Sequence, residues 1–266
     1  MSEDSIITKR LGSTYVIELN RPHARNAVDS ATARKLAAAF TEFDEDDSLR
    51  AAVFHGVNGT FCAGADLKEV SEKNLQTPVL EGDLARMDGS APMGASYLRP
   101  SKPVIGAIAG HAVAGGLELS LVCDFRVADE TAIFGVYCRR WGVPLIDGGT
   151  VRLPRVVGMG NALDMILTGR AVDAHEAKTM GLANYVVLPG KALEKAVEIA
   201  DQLARFPQKC MLSDRQSAYD QWNMTFVDAM LNENRLGHQV LSSGETVSGA
   251  TRFAGGKGRG GSFADL

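Results

Sequence analysis

Two glycine-centred segments constrain this chain more than any other feature of its sequence. Residues 61–67 (Phe-Cys-Ala-Gly-Ala-Asp-Leu) follow an apolar run, and residues 112–118 (Ala-Val-Ala-Gly-Gly-Leu-Glu) open a predicted helix. Unpaired backbone N–H groups at a helix start bind negative charge, and small residues let a ligand approach them. The two segments together predict an oxyanion hole, a pair of backbone donors for a developing anion. The alternative is that the glycines only permit tight helix packing.

Short apolar runs alternate with predicted helices through the first half of the chain. A helix capped by Asp29 or Ser30 has its apolar positions at Leu36, Phe40 and Phe43, which follow the i, i+4, i+7 spacing. Apolar runs bounded by Gly or Pro are typical of strands covered on both faces. The alternation favours an α/β fold. Strands are predicted at residues 15–19, 51–54, 104–108, 125–128 and 132–134.

The C-terminal part of the sequence is predicted to be mainly helical from residue 161 onward. Residues 192–203 and 222–231 are amphipathic, so each needs a surface to pack on. Residues 71–100 are weakly patterned and contain several glycines and prolines. That stretch is either a mobile cover over a pocket or a merely irregular connection.

The composition excludes several classes of protein. With 266 residues, 45% hydrophobic and 23% charged, the chain is expected to form one globular domain. A net charge of −4 with dispersed cations argues against nucleic-acid binding, and no run reaches the 18 apolar residues of a membrane span. The acidic start without an apolar stretch favours the cytoplasm. Cysteines without metal-ligand spacing are expected to be reduced thiols, and they are Cys62, Cys123, Cys138 and Cys210.

Glu118 is a candidate general acid or base. It lies three residues after Gly115 in a predicted helix that continues with Leu119 and Leu121, so its carboxyl group is expected to be buried. Desolvation raises the pKa of a buried carboxyl group toward the range useful for proton transfer. The alternative is an exposed acid that interacts favourably with the helix dipole.

The two glycine segments resemble those of the crotonase superfamily, also known as the enoyl-CoA hydratase/isomerase family. The resemblance covers about residues 5–260 and extends to residues 19–27, 101–110, 123–124, 167–170 and 181–186. It implies a crotonase-like spiral of β-β-α units in a single α/β domain over 1–266, with a spiral core at about 1–200. It also implies a helical region at about 201–266 that forms trimers or dimers of trimers, and a homo-oligomer is expected by that analogy. Intramolecular packing alone would fit the sequence too.

The resemblance implies a role for particular residues. The N–H groups of Ala65 and Gly115 would receive the oxygen of an acyl-CoA thioester, and Glu118 would be the general acid/base. No redox or metal cofactor is implied, because coenzyme A is part of the substrate. The predicted contacts to coenzyme A are Ala63, Asp66, Leu67, the phosphate-binding candidates Arg25 and Lys68, and, from a neighbouring subunit, Phe253 and Lys257.

The sequence departs from the family pattern at one catalytic position. Cys138 stands where a second catalytic glutamate is expected, and a thiol cannot simply replace a carboxylate that deprotonates water. Asp147 follows nine residues later, in a loop where naphthoate synthases and a chlorobenzoyl-CoA dehalogenase place a catalytic aspartate. We therefore predict Glu118 and Asp147 as a catalytic pair. The alternative for Asp147 is a plain helix N-cap.

Aromatic residues between the two acids are candidates for the acyl pocket. Tyr137 and Trp141 flank Cys138 and either line this pocket or belong to the ordinary core. Cys138 and His111 are further candidates for this pocket. His111 either polarises the substrate or is a core or loop histidine bonded to the backbone. The expected reaction is reversible hydration of a 2-enoyl-CoA to a 3-hydroxyacyl-CoA. The alternatives are double-bond isomerisation, thioester hydrolysis, carbon–carbon cleavage, and acyl-CoA binding without catalysis.

Overall fold

The computed structural model describes residues 4–73 and 91–263, and the chain divides into two compact units, Met1–Ala200 and Asp201–Leu266. The strands are β1 (Ile6–Leu11), β2 (Thr14–Leu19), β3 (Ala51–Gly56), β4 (Val104–Ile108), β5 (His111–Val113), β6 (Phe125–Asp129), β7 (Ile133–Gly135), β8 (Val172–Asp173) and β9 (Tyr185–Val187). The helices are α1 (Ser30–Glu45), α2 (Leu67–Lys73), α3 (Gly115–Ser120), α4 (Gly149–Val157), α5 (Met159–Thr168), α6 (Ala174–Thr179), α7 (Ala192–Arg205), α8 (Gln208–Asp220), α9 (Phe226–Ser242) and α10 (Glu245–Ala254).

The larger sheet of the first unit has the strand order β1-β2-β3-β4-β6-β9. The β1–β2 pair is antiparallel and the other pairs are parallel, with Val16 opposite Val53 and Val53 opposite Ile105. Every residue of β2 and of β4 is buried. Burial on both faces explains why β4 and most of β2 are apolar without alternation, and the buried carboxylate of Glu18 in β2 is paired with Lys9 at 2.8 Å and His55 at 3.0 Å.

The smaller sheet has the strand order β5-β7-β8. In successive β-β-α units the first strand lies in the larger sheet and the second strand lies in this smaller sheet. β4 is followed by β5 and α3, and β6 is followed by β7 and then by α4 and α5. The segment after β3 also pairs with the smaller sheet, because Cys62 forms an isolated parallel bridge with Ala112 of β5. The spiral of β-β-α units predicted from the resemblance is therefore confirmed.

Helix α1 shows how local sequence signals build this unit. The carboxylate of Asp29 accepts a hydrogen bond from the backbone N–H of Thr32 at 2.8 Å, so Asp29 rather than Ser30 is the N-cap. Apolar residues on one face of the helix enter the core, where Phe40 meets Phe54 edge to face at 5.4 Å between ring centroids. Phe54 in turn meets Phe61 at 5.1 Å, which anchors the first glycine segment to the core.

Residues 74–90, which fall within the weakly patterned stretch 71–100, lie outside the described residues. The part that is described begins with a bridge between Ala91 and Gly94 and continues into a 3-10 turn, Ala95–Tyr97. The N-terminal end of the stretch, residues 71–73, completes α2.

The second unit is helical, and many of its apolar side chains are exposed. Helices α8, α9 and α10 pack on one another, and α9 buries only Leu236 and Val240. The predicted amphipathic segment 222–231 is interrupted, because Thr225 caps α9 with its hydroxyl oxygen 3.2 Å from the N–H of Asp228. Among the described residues, no helix combines the length and the hydropathy that crossing a membrane requires.

Candidate active site

A cavity of about 670 Å³ in the first unit brings the two glycine segments together. Ala65 and Gly115 lie in its wall, as do Glu118 and Asp147. Ala65 lies between β3 and α2, Gly115 is the first residue of α3, which also carries Glu118, and Asp147 lies just before α4. The fold therefore gathers four of the predicted site residues from three turns of the spiral.

Close backbone packing holds the two glycine segments against each other. An added Cβ at Gly116 would lie 2.1 Å from the carbonyl oxygen of Cys62, and one at Gly64 would lie 3.0 Å from the backbone nitrogen of Gly115. Within residues 4–73 and 91–263, no backbone hydrogen bond engages the N–H of Ala65 or of Gly115. The glycines thus allow the two backbone segments to pack closely. In this arrangement the N–H groups of Ala65 and Gly115 have no backbone partner among the described residues at the cavity wall.

Glu118 is buried, with only 2% of its surface exposed, so the alternative of an exposed helix-start acid is wrong. Its Oε1 atom accepts hydrogen bonds from the N–H of Asp147 at 2.9 Å and from that of Gly149 at 2.8 Å. Burial, followed by the charge of Asp147, raises the pKa of Glu118 to about 7, although the two N–H donors oppose this rise. Glu118 can therefore exchange a proton near neutral pH.

Asp147 is also buried, and its carboxylate is not a helix cap. The N-cap of α4 is Gly148, whereas Oδ1 of Asp147 accepts hydrogen bonds from the N–H of Met93 at 3.0 Å and from the hydroxyl group of Ser96. Burial raises the pKa of Asp147, and the donors from Ser96 and Met93 and the charge of Arg152 oppose the rise. The plain N-cap alternative is wrong.

Cys138 lies in the cavity wall within a 3-10 turn, Tyr137–Trp141. Burial, followed by the charge of Glu118, raises the pKa of its thiol. Tyr137 and Trp141 also line the cavity, and Trp141 is 66% exposed, which excludes an ordinary core role for it. His111 is exposed and does not line this cavity, although its ring lies 6.3 Å from that of Tyr137.

The residues predicted to bind coenzyme A are divided between several places. Ala63, Asp66 and Leu67 line the cavity. Arg25 and Lys68 are exposed residues that do not line it. Phe253 and Lys257 belong to the second unit, where the guanidinium group of Arg259 lies 5.1 Å from the ring of Phe253.

Sequence reasoning did not single out Arg21, which holds the first glycine segment. Its guanidinium group lies 2.9 Å from the carboxylate of Asp29 and 3.1 Å from that of Asp66, and it also donates to the carbonyl oxygen of Ala27. Arg21 lies within residues 19–27, and this position in a segment of the family pattern was the signal that could have identified it.

Met93 and Ser96, the partners of Asp147, were also missed. They lie in the weakly patterned stretch 71–100, where no spacing or residue type distinguishes them. Among the described residues, no group of three or more His, Cys, Asp or Glu side chains could hold a metal ion.

Comparison with known proteins identifies the family. The family model described as enoyl-CoA hydratase/isomerase matches residues 10–257. A probable enoyl-CoA hydratase of Rhizobium meliloti is 35% identical over 253 residues, 95% of this chain and 96% of that protein. Enoyl-CoA hydratase EchA19 of Mycobacterium tuberculosis is 34% identical over 94% of this chain and 93% of its own length.

Solved structures agree with the sequence comparisons. The crystal structure of an enoyl-CoA hydratase from Mycobacterium tuberculosis H37Rv superposes with a TM-score of 0.86 at 30% identity, covering 95% of this chain and 96% of that chain. An enoyl-CoA hydratase structure from Bacillus anthracis gives a TM-score of 0.83, also at 30% identity, over 94% of this chain and 96% of its own. The chain belongs to the enoyl-CoA hydratase/isomerase family.

Proposed function

We propose that this protein is a hydro-lyase that reversibly adds water to a 2-enoyl-CoA and forms a 3-hydroxyacyl-CoA. The relatives of similar length are named enoyl-CoA hydratases, which supports this reaction. The observation that carries the proposal is the pair of buried carboxyl groups, Glu118 and Asp147, in a cavity wall that also holds the unpaired N–H groups of Ala65 and Gly115.

The proposed oxyanion hole stabilises the charge that develops during addition. The thioester oxygen accepts hydrogen bonds from the N–H groups of Ala65 and Gly115. As water attacks C3, the electron pair of the C2–C3 double bond moves toward this oxygen and forms an enolate. Preorganised donors stabilise that charge, and removing one donor typically raises the barrier by about 3 to 4 kcal/mol.

The two carboxyl groups divide the proton transfers. Asp147 accepts the proton that the attacking water loses, and Glu118 gives a proton to C2 when the enolate collapses. Asp147 ends protonated and Glu118 ionised, so one proton must return between them or through solvent before the next turnover. No electrons are gained or lost, and the reaction needs no redox or metal cofactor.

The electrostatics of the site support this division. The pKa of Glu118 near 7 leaves a large fraction of this group protonated at neutral pH, as an acid requires. Asp147 receives two hydrogen bonds on its carboxylate, and these favour its charged form. Different environments thus assign different roles to the two carboxyl groups.

Coenzyme A is proposed to lie along Ala63, Asp66 and Leu67, with Arg25 and Lys68 reaching its phosphates. The exposed apolar side chains of the second unit, including Phe226 at 80% and Leu231 at 65%, support a homo-oligomer, a trimer or a dimer of trimers. In such an assembly a second copy would contribute Phe253 and Lys257. The cytoplasmic location stays a prediction.

A second candidate reaction is the shift of a double bond. The specific observation that favours it is Cys138, a buried thiol at the position where a second glutamate is expected. Isomerisation moves a proton between two carbons of the substrate and needs no activated water. The absence of the second glutamate at position 138 would therefore slow isomerisation less than hydration. It uses the same donors and the same Glu118.

Incubation with crotonyl-CoA and a longer 2-enoyl-CoA in ¹⁸O-labelled water, followed by mass spectrometry, tests the proposal. Hydration predicts label in a 3-hydroxyacyl-CoA from the unaltered protein and strong losses in Glu118→Gln and Asp147→Asn. An unlabelled 3-enoyl-CoA, which has the same mass as the substrate and must be separated from it by chromatography, would instead establish the isomerase, and free coenzyme A a hydrolase. Tight binding of these esters without any product would indicate a binding protein.

A further inference from the structure

A buried hydroxyl group contacts the proposed active site, although it neither gives nor takes a proton in the reaction as derived above. Ser96 is fully buried in the segment 91–97, which we call the clasp. Its hydroxyl group donates a hydrogen bond to Oδ1 of Asp147, 51 residues away in the sequence. Burial of a hydroxyl group costs free energy unless it is hydrogen-bonded, and here its partner is a proposed catalytic carboxylate.

Both donors from the clasp act on the same oxygen of Asp147. The N–H of Met93 donates to Oδ1 at 3.0 Å, in addition to the hydroxyl group of Ser96. Within the described residues, no hydrogen bond is found at Oδ2. Because Asp147 lines the cavity, two donors on one oxygen leave the other oxygen available for substrate water.

The clasp also contacts the neighbours of Asp147. The hydroxyl group of Tyr97 donates to the carbonyl oxygen of Ile146 at 2.8 Å, directly before the aspartate. The sulfur atom of Met93 lies 2.9 Å from the position that a Cβ at Gly115 would occupy, so Met93 packs on the proposed oxyanion hole. The clasp therefore contacts both the carboxylate of Asp147 and the proposed backbone donor Gly115.

We propose that Ser96 is a positioning residue whose hydroxyl group holds Oδ1 of Asp147, so that Oδ2 is presented to the attacking water. The inference rests on the proposed function, because it takes Asp147 as the base. Ser96 itself does not touch the substrate in this scheme.

The charged and titratable groups around Asp147 determine how its pKa responds when the hydrogen bond from Ser96 is lost. Glu118 lies beside it, and Arg152 donates to its carbonyl oxygen at 3.2 Å. Burial, followed by the charges of Asp147 and Glu118, raises the pKa of the nearby Tyr97 phenol. The Ser96 hydroxyl group stabilises the carboxylate form of Asp147 against burial. Removing it raises the pKa of Asp147 further.

The first experiment compares Ser96→Ala with a matched control, Ser120→Ala. Ser120 is equally buried, but its hydroxyl group donates to the backbone carbonyl oxygen of Leu117. We expect Ser96→Ala to lower kcat by about 10- to 100-fold, as for loss of a hydrogen bond to a charged group, and to change KM by less than about threefold. The acidic limb of its pH–rate profile moves up by about one pH unit. Ser120→Ala leaves both constants within about twofold.

The second experiment separates a positioning role from a general loss of structure. Ser96→Thr retains a hydroxyl group and is expected to recover most of kcat. In an Asp147→Asn background, Ser96→Ala should lower the residual kcat by less than about twofold, because its effect acts through Asp147. Additive losses in the double variant, or an acidic limb that does not move in Ser96→Ala, would overturn the inference.

A titration independent of turnover distinguishes this inference from the proposed function. With ¹³C-labelled aspartate carboxyl groups, the Asp147 signal can be assigned by its loss in Asp147→Asn. We expect its midpoint to lie at higher pH in Ser96→Ala than in the unaltered protein. If the midpoint is unchanged while the unaltered enzyme hydrates its substrate, the proposed role of Ser96 is wrong and the hydratase proposal stands. Absence of labelled product from the unaltered protein would instead remove the hydratase proposal.

Discussion

Glu118 and Asp147 are joined through the backbone, because the N–H of Asp147 donates to Oε1 of Glu118 at 2.9 Å. The carboxylate of Asp147 is bonded elsewhere, to Met93 and Ser96. The two acids therefore do not share a proton through a direct carboxyl–carboxyl hydrogen bond. A substitution confined to the side chain of Asp147 can leave the contact that orients Glu118 in place, so the two roles can be tested separately.

The raised pKa of Glu118 predicts a pH-dependent stability difference between the unaltered protein and Glu118→Gln. The folded protein binds a proton at Glu118 more tightly than the unfolded chain does, so this group loses stabilising free energy as pH rises from 4.5 to about 7. At about 1.4 kcal/mol per pH unit, the loss is on the order of 3 kcal/mol.

Urea denaturation at pH 5 and pH 8 measures this difference. The glutamine amide cannot titrate, and its oxygen can still accept from Asp147 and Gly149. We expect the free energy of unfolding of Glu118→Gln, minus that of the unaltered protein, to be more positive at pH 8 than at pH 5, so that the variant is relatively more stable at the higher pH. An equal difference at both pH values would show that Glu118 titrates near its ordinary pKa.

Gly149→Ala should displace the proposed acid. A Cβ at Gly149 would lie 2.9 Å from Oε1 of Glu118, closer than Cβ atoms approach in proteins, and 3.0 Å from its Cγ, so the Glu118 side chain would have to move. We expect kcat to fall at least about tenfold, since small displacements of a catalytic group are costly. Gly160→Ala is the control, because nothing lies within 4 Å of its Cβ position in α5. That variant should keep full activity and gain up to about 1 kcal/mol of stability.

Cys138→Ala should leave hydration largely intact. Burial and the charge of Glu118 raise the pKa of the thiol, so at neutral pH it is an uncharged group that cannot serve as a base. We expect kcat to stay within about threefold of the unaltered protein, because the change removes only a small part of the cavity wall. A loss comparable to that of Asp147→Asn would give the thiol a direct part in the reaction.

Ala114→Gly should stabilise the protein. Ala114 precedes the proposed donor Gly115 and has φ 53° and ψ −126°, a conformation that favours glycine. Relief of strain typically gives about 1 to 3 kcal/mol, and the greater freedom of glycine in the unfolded chain offsets up to about 1 kcal/mol of it. Thermal denaturation should show a higher Tm. An unchanged or lower Tm would mean that the alanine is not strained there.

Elements with dense local signals could be predicted from the sequence. Residues 104–108 form β4 as expected, and Asp29 caps α1 as one of two predicted candidates. Strand β1 was missed because only Ile6 of it is buried, and the remaining residues have no apolar pattern. Strand β8 is two residues long and exists only through its pairing with β7.

In the candidate site, too, features encoded by neighbouring residues could be predicted, whereas contacts between distant parts of the chain could not. Glu118 and the glycine segments could be identified because their spacing is contained within a few residues. The hydrogen bonds from Met93 and Ser96 to Asp147 join positions 54 and 51 residues apart, which no local pattern encodes. The exposed position of His111 likewise depends on which face β5 presents after it joins β7.

Helix α4 begins at Gly149 and has a glycine as its N-cap, so no capping side chain of its own satisfies the N–H of Gly149. Glu118 accepts that hydrogen bond from another turn of the spiral. The N-terminal end of α4 and the orientation of the proposed acid therefore depend on the same hydrogen bond. A partly folded chain in which α4 has not docked would lack an oriented acid, so a reactive thioester bound to it would not be turned over.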